Sequence, residues 1–127
     1  MAAMRLRRVD THELIRRAKD YLAQTPEARA GLSQTARAVG TSPSTLALAF
    51  RTLERVSFYR YALNLRLARA AALLPTYDDL SRLATDLGFA SHSHFSTAFH
   101  RWAGLTPSAY RAEFNQKRPG LPLRTSG

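Results

Sequence analysis

This chain of 127 residues contains no cysteine, which excludes disulfides, thiolate zinc sites and thiol nucleophiles. It also lacks long apolar runs, because Arg, Asp or Pro interrupts each of them well short of the roughly 18 residues of a membrane span. No segment alternates polar and apolar residues with the period of two that marks a half-buried strand. These absences favour a helical protein that has no membrane partner.

Positive charge is in large excess, since 19 Lys and Arg side chains face nine acidic ones and give a formal net charge of +10. Such a surplus points to a polyanionic partner, with nucleic acid first and an anionic membrane second. The plain alternative is a basic domain whose charge is incidental. We expect one domain, located in the cytoplasm and associated with the nucleoid.

One stretch of the chain occurs twice. At an offset of 48, one set of small and apolar residues returns: Leu32, Ser33, Ala36 and Gly40 as Leu80, Ser81, Ala84 and Gly88. After the glycine the second copy gains one residue, and the offset becomes 49: Leu46, Phe50 and Tyr61 match Phe95, Phe99 and Tyr110. Each copy predicts a helix, a glycine turn and a second helix, the arrangement that presents a DNA-reading helix.

Capping and turn signals divide the chain into seven helices. Asp10, with Glu13 three residues later, predicts the start of the first helix. We expect an all-α, homeodomain-like fold over residues 10–115, with two helix-turn-helix subdomains joined by a long bridging helix. The predicted bounds are 31–54 for the first motif, 57–74 for the bridge and 79–103 for the second motif. Outside this domain we predict a flexible basic arm (1–9) and a disordered tail (116–127).

The second copy carries the most specific pattern. It contains Gly-Phe, two spaced phenylalanines and a Gly-x-x-Pro-x-x-Tyr-Arg ending: Gly88, Phe89, Phe95, Phe99, Gly104, Pro107, Tyr110 and Arg111. With the double motif, and with Arg66, Leu67 and Ala70 in the bridge, this pattern resembles the AraC/XylS family of bacterial transcription regulators over residues 11–113. The resemblance implies two recognition helices that enter successive major grooves on one face of DNA.

The two recognition helices differ at the positions that the resemblance turns toward DNA. Those positions are Ser44, Thr45, Ala47, Leu48 and Arg51 in the first copy, and His92, Ser93, Ser96, Thr97, His100 and Arg101 in the second. Ala47 and Leu48 cannot hydrogen-bond a base edge and at best contact thymine methyl groups. We therefore predict that the first motif mainly positions the protein, while the second supplies most of the direct readout. The alternative is that these polar faces are merely solvated.

Other residues receive structural interpretations. Where the family usually has glycine, before Ser57, this chain has Arg55, so the turn is expected to form without an easy positive φ or to be built differently. The aromatic residues at helical spacing are interpreted as core: Phe50, Phe58, Phe95, Phe99 and Trp102. The arginines of the bridge (Arg60, Arg66 and Arg69) have three readings, namely phosphate contact, ion pairing with Asp78 or Asp79, or solvation.

These features predict a sequence-specific, double-stranded DNA-binding transcription regulator that reads, as a monomer, an asymmetric site of roughly two helical turns. RNA polymerase is the expected protein partner. The chain is either a stand-alone regulator or the C-terminal reader of a longer, effector-sensing one. The main alternative is a non-catalytic helical protein-interaction module. We expect no enzymatic activity, cofactor or metal, because the sequence has no nucleophile elbow, and because His92 and His94 point to different faces of a helix.

Overall fold

The computed structural model describes residues 8–25 and 30–117, and every regular element within these ranges is helical. Over them seven α-helices follow in order: α1 (Arg8–Gln24), α2 (Leu32–Val39), α3 (Pro43–Ala49), α4 (Phe58–Leu73), α5 (Leu80–Asp86), α6 (His92–Ala103) and α7 (Pro107–Lys117). A π-helical segment, Phe50–Glu54, continues α3, and a 3₁₀ turn, Leu74–Thr76, continues α4. The all-α fold class with seven helices is confirmed.

The ends of the domain differ slightly from the prediction. Helix α1 begins at Arg8, so Asp10 lies in its first turn and is not the capping residue. A carboxylate there still interacts favourably with the helix dipole. At the other end α7 continues to Lys117, three residues beyond the predicted end near Phe114. Apart from these extensions of α1 and α7, the predicted arm (1–9) and tail (116–127) lie outside the described residues.

The chain forms two compact units that part within α4, between Leu63 and Asn64. Each unit contains one helix-turn-helix motif, α2–α3 in the first and α5–α6 in the second. We call them the first unit and the second unit. Each is described by itself below.

The core of the first unit is built around Phe50. Its side chain is fully buried, and its ring lies 5.3 Å from the ring centroids of both Phe58 and Tyr61. Apolar side chains from three helices complete this core: Leu14, Ile15, Ala18 and Leu22 of α1, Ala36 and Val39 of α2, and Leu46 and Ala49 of α3. Burial of a side chain as large as phenylalanine contributes roughly 2–3 kcal/mol, so this cluster fixes α3 against α1 and α2.

The core of the second unit is built around Phe99, the counterpart of Phe50. The Phe99 ring contacts three other rings, those of Phe95, Trp102 and Tyr110, at centroid distances of 5.7, 5.6 and 5.4 Å. Phe95 and Phe99 are fully buried, whereas Trp102 remains 40% exposed. The assignment of Trp102 to the core was therefore wrong. Trp102 lies on the same helix face as Phe95 and Phe99 but in the last turn of α6, where its ring packs on Phe99 and is not enclosed.

The turn between the two helices of each motif has the same geometry. Gly40 and Gly88 adopt left-handed backbone conformations, with φ of +80° and +85°. In both turns, the N–H of the glycine and the N–H of the next residue donate to carbonyls three and five residues earlier, at 2.9 to 3.2 Å. This pair of bonds closes a helix only where one residue adopts positive φ, which glycine does without a steric penalty.

Both recognition helices begin with the same serine cap. The Ser42 Oγ accepts the N–H of Thr45 at 3.1 Å, and the Ser91 Oγ accepts the N–H of His94 at 3.0 Å. Pro43 occupies the first position of α3, where a missing N–H removes no hydrogen bond. The predicted starts of both helices are confirmed.

Helix α4 belongs to both copies of the repeat. In its first half, Ser57 caps the helix as Thr106 caps α7, with Oγ-to-N distances of 3.1 Å in each case. Tyr61 packs on Phe50 there as Tyr110 packs on Phe99. In its second half, the offset of 48 matches the buried Ala70 to the buried Leu22 of α1. One helix thus ends the first copy and begins the second, which explains why its sequence is apolar on more than one face.

Candidate nucleic-acid interface

The first recognition helix, α3, presents few polar side chains to solvent. Leu48 is 66% exposed, and Ala47 is half-buried. Thr45 is also half-buried, and its hydroxyl accepts a hydrogen bond from the Ser42 hydroxyl at 3.0 Å. Of the five predicted contact positions, only Ser44 and Arg51 combine exposure with a polar group.

The second recognition helix, α6, presents a polar surface at the predicted positions. Five of its six predicted contact residues are exposed: His92, Ser93, Thr97, His100 and Arg101. Ser96 is half-buried. The side chains on this face include imidazole, hydroxyl and guanidinium groups, which can donate to or accept from base edges and phosphates.

His94 has a packing role. Its ring stands edge-on against the Phe89 ring, with centroids 5.4 Å apart, although the side chain as a whole is exposed. Among the described residues, no three His, Asp or Glu side chains are grouped as a metal ion would require. Within the same residues, no helix has the length and apolar character needed to cross a bilayer.

The charge around the first recognition helix is strongly one-sided. Between residue 30 and the end of the first unit at residue 63, the sequence has four arginines and a single acid, Glu54. The Glu54 carboxylate lies 2.8 Å from the Lys19 ammonium of α1, which also sits over the Tyr61 ring at 5.5 Å from its centroid. The hydrogen bond to Glu54 raises the pKa of Lys19 above its ordinary value. The one carboxylate of this stretch is thus paired with a residue outside it, and the arginines keep their positive charge.

The turn after the first recognition helix retains positive φ. Arg55 adopts φ of +63° and ψ of 14°, the only non-glycine residue with positive φ in the described part of the chain. At the offset of 49 its counterpart is Gly104, which ends α6 with φ of +83°. The expectation of a turn without easy positive φ was wrong, because a left-handed residue is needed to end the helix and an arginine adopts that conformation here.

Arg66 and Arg111, two arginines of the family pattern, stabilise the second unit. The Arg111 Nη1 donates to the carbonyl oxygens of Tyr77 at 2.6 Å and Asp78 at 3.3 Å, which holds the segment before α5 against α7. The Arg66 guanidinium lies over the Phe89 ring at 4.9 Å. This is a cation–π contact, which differs from the three roles expected for the arginines of the bridge.

A hydrogen bond between Tyr77 and Asp86 secures the start of the second motif. The Tyr77 hydroxyl donates to Asp86 Oδ2 at 2.6 Å, and this bond raises the pKa of Tyr77. The same carboxylate oxygen lies 3.7 Å from Arg82 Nε. Together with Arg111, these contacts fix α5, on which the orientation of α6 depends.

Comparisons with known proteins agree with this architecture. A family model described as a helix-turn-helix domain matches residues 35–113. The chain is 31% identical over 93 residues to the HTH-type transcriptional regulator MtrA of Neisseria gonorrhoeae, an alignment that covers 72% of this chain and 31% of the relative. The chain therefore spans about a third of the length of the curated relatives it matches.

Solved structures show the same fold. An AraC-type DNA-binding domain-containing regulator from Chromobacterium violaceum superposes with a TM-score of 0.79 at 26% identity, covering 85% of this chain and 97% of that one. The DNA-binding domain of AdpA, solved in complex with a target DNA, superposes with a TM-score of 0.68 at 26% identity, covering 86% and 96%. Two capped helix-turn-helix motifs, the helix shared between them and these matches place the chain in the AraC/XylS family of transcription regulators, to whose DNA-binding domain it corresponds.

Proposed function

We propose that this chain binds double-stranded DNA sequence-specifically as a monomer, with α3 and α6 each lying in a major groove. The two grooves are adjacent, and the site is asymmetric and roughly twenty base pairs long. The proposal is supported by the two matching motifs, by the net charge of +10 and by the likeness to a domain solved on its target DNA. It acts through binding, and no catalytic step is part of it.

The two motifs divide the work of recognition in this proposal. The observation that carries this division is the difference in exposed polar groups: five predicted contacts on α6 against two, Ser44 and Arg51, on α3 and the π-helical segment that continues it. Hydrogen bonds to base edges provide most of the discrimination between base pairs, at about 1–3 kcal/mol for a good bidentate pair. We infer that α6 reads bases, whereas α3 contacts the backbone and, through Leu48, thymine methyl groups.

Selection of bound sequences from a random duplex library tests both statements. We expect an enriched site of roughly twenty base pairs, with most of its information in the half bound by α6. Thr97→Ala or His92→Ala should relax the base preference in that half. Leu48→Ala should weaken the base preference at no more than one A·T pair in the other half. Equal information in both halves would contradict the division of work.

The salt dependence of binding separates specific DNA recognition from the alternative function. If six to eight phosphates are contacted, the slope of log K against log salt should be about −5 to −7. A helical protein-interaction module with incidental charge would instead give no preference for the selected duplex over random DNA, and a slope near −1. That result would favour the module and overturn the proposal.

The cellular setting is part of the same proposal. A regulator of this kind acts on the nucleoid in the cytoplasm, and RNA polymerase is its proposed protein partner. Co-purification of polymerase subunits with the DNA-bound chain, compared with the free chain, tests the partnership. Equal recovery from both would count against it.

A further inference from the structure

Arg55 adopts a left-handed backbone conformation, and the residue at the matching position of the second copy is a glycine, Gly104. The Arg55 φ of +63° lies in the left-handed region, where a side chain crowds the following carbonyl. Gly104 takes the same place after α6 without that crowding. A glycine at position 55 would therefore satisfy the turn, and arginine adds only its exposed cationic side chain. Residues held in strained conformations cluster at functional sites, so this outlier points to a role for the side chain.

The described residues around Arg55 include no partner for its charge. Arg51 precedes it in the π-helical segment that continues α3, Arg60 follows it in α4, and all three side chains are exposed. Glu54, the acid next to Arg55, is paired with Lys19. Within residues 10–25 and 30–115, whose side chains the structure describes, none of the three guanidinium groups forms an ion pair. Three cations within ten residues thus remain available to an anion from outside the protein.

We propose that Arg55 binds a phosphate of the DNA backbone next to the groove that α3 enters, and that this contact is why arginine stands in the strained turn. The inference rests on the proposed function. A guanidinium offers five N–H donors in a planar fork that fits two phosphate oxygens. Such a contact fixes the position of a protein on the duplex without reading sequence. It gives the first motif, which has few groups for base readout, a means of holding the DNA.

The substitution Arg55→Gly separates this role from a purely structural one, because its two effects have opposite signs. Relief of the backbone strain should raise the Tm by about 3 °C. Loss of one phosphate contact should make the salt slope shallower by about 0.9, and weaken binding about fivefold at 0.15 M salt. The loss should be the same for the selected duplex and for a random duplex, since phosphates are common to both.

Three further variants serve as controls. Arg55→Asn removes the charge but tolerates positive φ, so it should weaken binding as Arg55→Gly does. Arg55→Lys keeps the charge and should keep the wild-type salt slope. Arg17→Ala removes one exposed charge from α1, which carries none of the predicted contacts, and should change the slope by less than half as much.

The outcomes distinguish this inference from the proposed function. If the wild-type chain prefers its selected duplex and Arg55→Gly has an unchanged affinity and slope, the Arg55 contact is overturned and the proposed function stands. If Arg55→Gly weakens only the selected duplex, Arg55 reads a base and the phosphate assignment is wrong. If the wild-type chain shows no preference for any duplex, both are overturned.

Discussion

The two helix-turn-helix units share the same serine caps, glycine turns and aromatic contacts. They differ at three matching positions in how well the residue present stabilises the fold. Both have the serine cap, the left-handed glycine and the phenylalanine–tyrosine pair. The second unit has a carboxylate cap on its first motif helix, a leucine in the core and a glycine after its recognition helix: Asp79, Leu83 and Gly104. At the same places the first unit has Gly31, Thr35 and Arg55.

Each of these differences lowers the stability of the first unit relative to the second. Gly31 provides no side-chain cap for α2. Thr35 is fully buried, and its hydroxyl has no hydrogen-bond partner among the described residues. Arg55 is strained, and the segment before it is π-helical where α6 is regular. Penalties of about 0.5–2 kcal/mol each are large against a total stability of roughly 5–15 kcal/mol, so we expect the first unit to open more readily than the second.

The largest expected effect concerns the two central phenylalanines. Phe99→Ala should lower the free energy of unfolding by about 4–5 kcal/mol, and Phe50→Ala by about 3–4 kcal/mol, because each leaves a cavity in a closed core. The order follows from the number of ring contacts, three for Phe99 and two for Phe50. Urea denaturation of both variants measures the difference.

The conservative variants Phe99→Leu and Phe50→Leu serve as controls for this pair. They leave smaller cavities and should be destabilised by less than half as much as the alanine variants. A greater loss for Phe50→Ala than for Phe99→Ala would show that ring contacts do not rank the two cores.

The second-largest expected effect concerns the turn after each recognition helix. Gly104→Arg places in the second unit the residue that the first unit has there, Arg55, and should lower the Tm by about 3–6 °C. A Cβ at Gly104 would meet no atom within 4 Å, so the loss would come from the φ of +83° and not from a clash. Thermal unfolding followed by circular dichroism measures it. Gly104→Asn, which tolerates positive φ, should lose less, and an equal loss would point to a cause other than backbone strain.

The fold could be predicted from the sequence where local chemistry determines the structure. Ser42, Pro43 and Gly40 mark helix ends by the hydrogen bonds they make or lack, and the structure confirms those ends. The interpretation of Trp102 as a core residue was wrong because only tertiary packing decides how far a residue of an apolar stripe is enclosed. The conformation of Arg55 was missed for a similar reason, although its alignment with Gly104 was a usable signal.

For the predicted DNA contacts, the amino-acid sequence determines less than it does for the fold. The structure places most of them on exposed surfaces of α3 and α6, and it shows Thr45 held by the cap of α3. Which of them touch a base depends on the DNA itself, since sequence-dependent shape and ordered water also take part in recognition. That assignment stays a prediction for the library selection described above.

The third effect concerns the buried hydroxyl of the first unit. Thr35→Val should raise the free energy of unfolding by about 1 kcal/mol, because it removes an unpartnered polar group and preserves the side-chain shape. Urea denaturation measures the gain. Thr85→Val is the matched control, since Thr85 is exposed and its hydroxyl donates to the Ser81 carbonyl at 3.1 Å. A loss of stability in Thr35→Val would mean that the hydroxyl does find a partner in solution.

The smallest expected effect concerns the residue that caps the first helix of each motif, Gly31 before α2 and Asp79 before α5. Gly31 has φ of −81° and ψ of 177°, extended backbone like that of Asp79, and a Cβ there would meet no atom within 4 Å. Gly31→Asp should therefore raise the free energy of unfolding by about 0.5 kcal/mol, through hydrogen bonds to the first N–H groups of α2 and attraction to the helix dipole. Asp79→Gly should cause a loss of similar size, since the Asp79 Oδ1 accepts the N–H groups of Ser81 at 2.9 Å and Arg82 at 3.4 Å.

Salt separates the two sources of the cap effect. Chemical denaturation at 0.05 and 1 M NaCl should reduce the dipole contribution of Gly31→Asp and leave the hydrogen-bond contribution, whereas Gly31→Ser should change little between the two. Native-state amide exchange then shows which helices the substitution Gly31→Asp stabilises. If the units open separately, Gly31→Asp slows exchange in α2 and α3 but not in α5 and α6, and equal slowing everywhere would mean that the two units unfold as one.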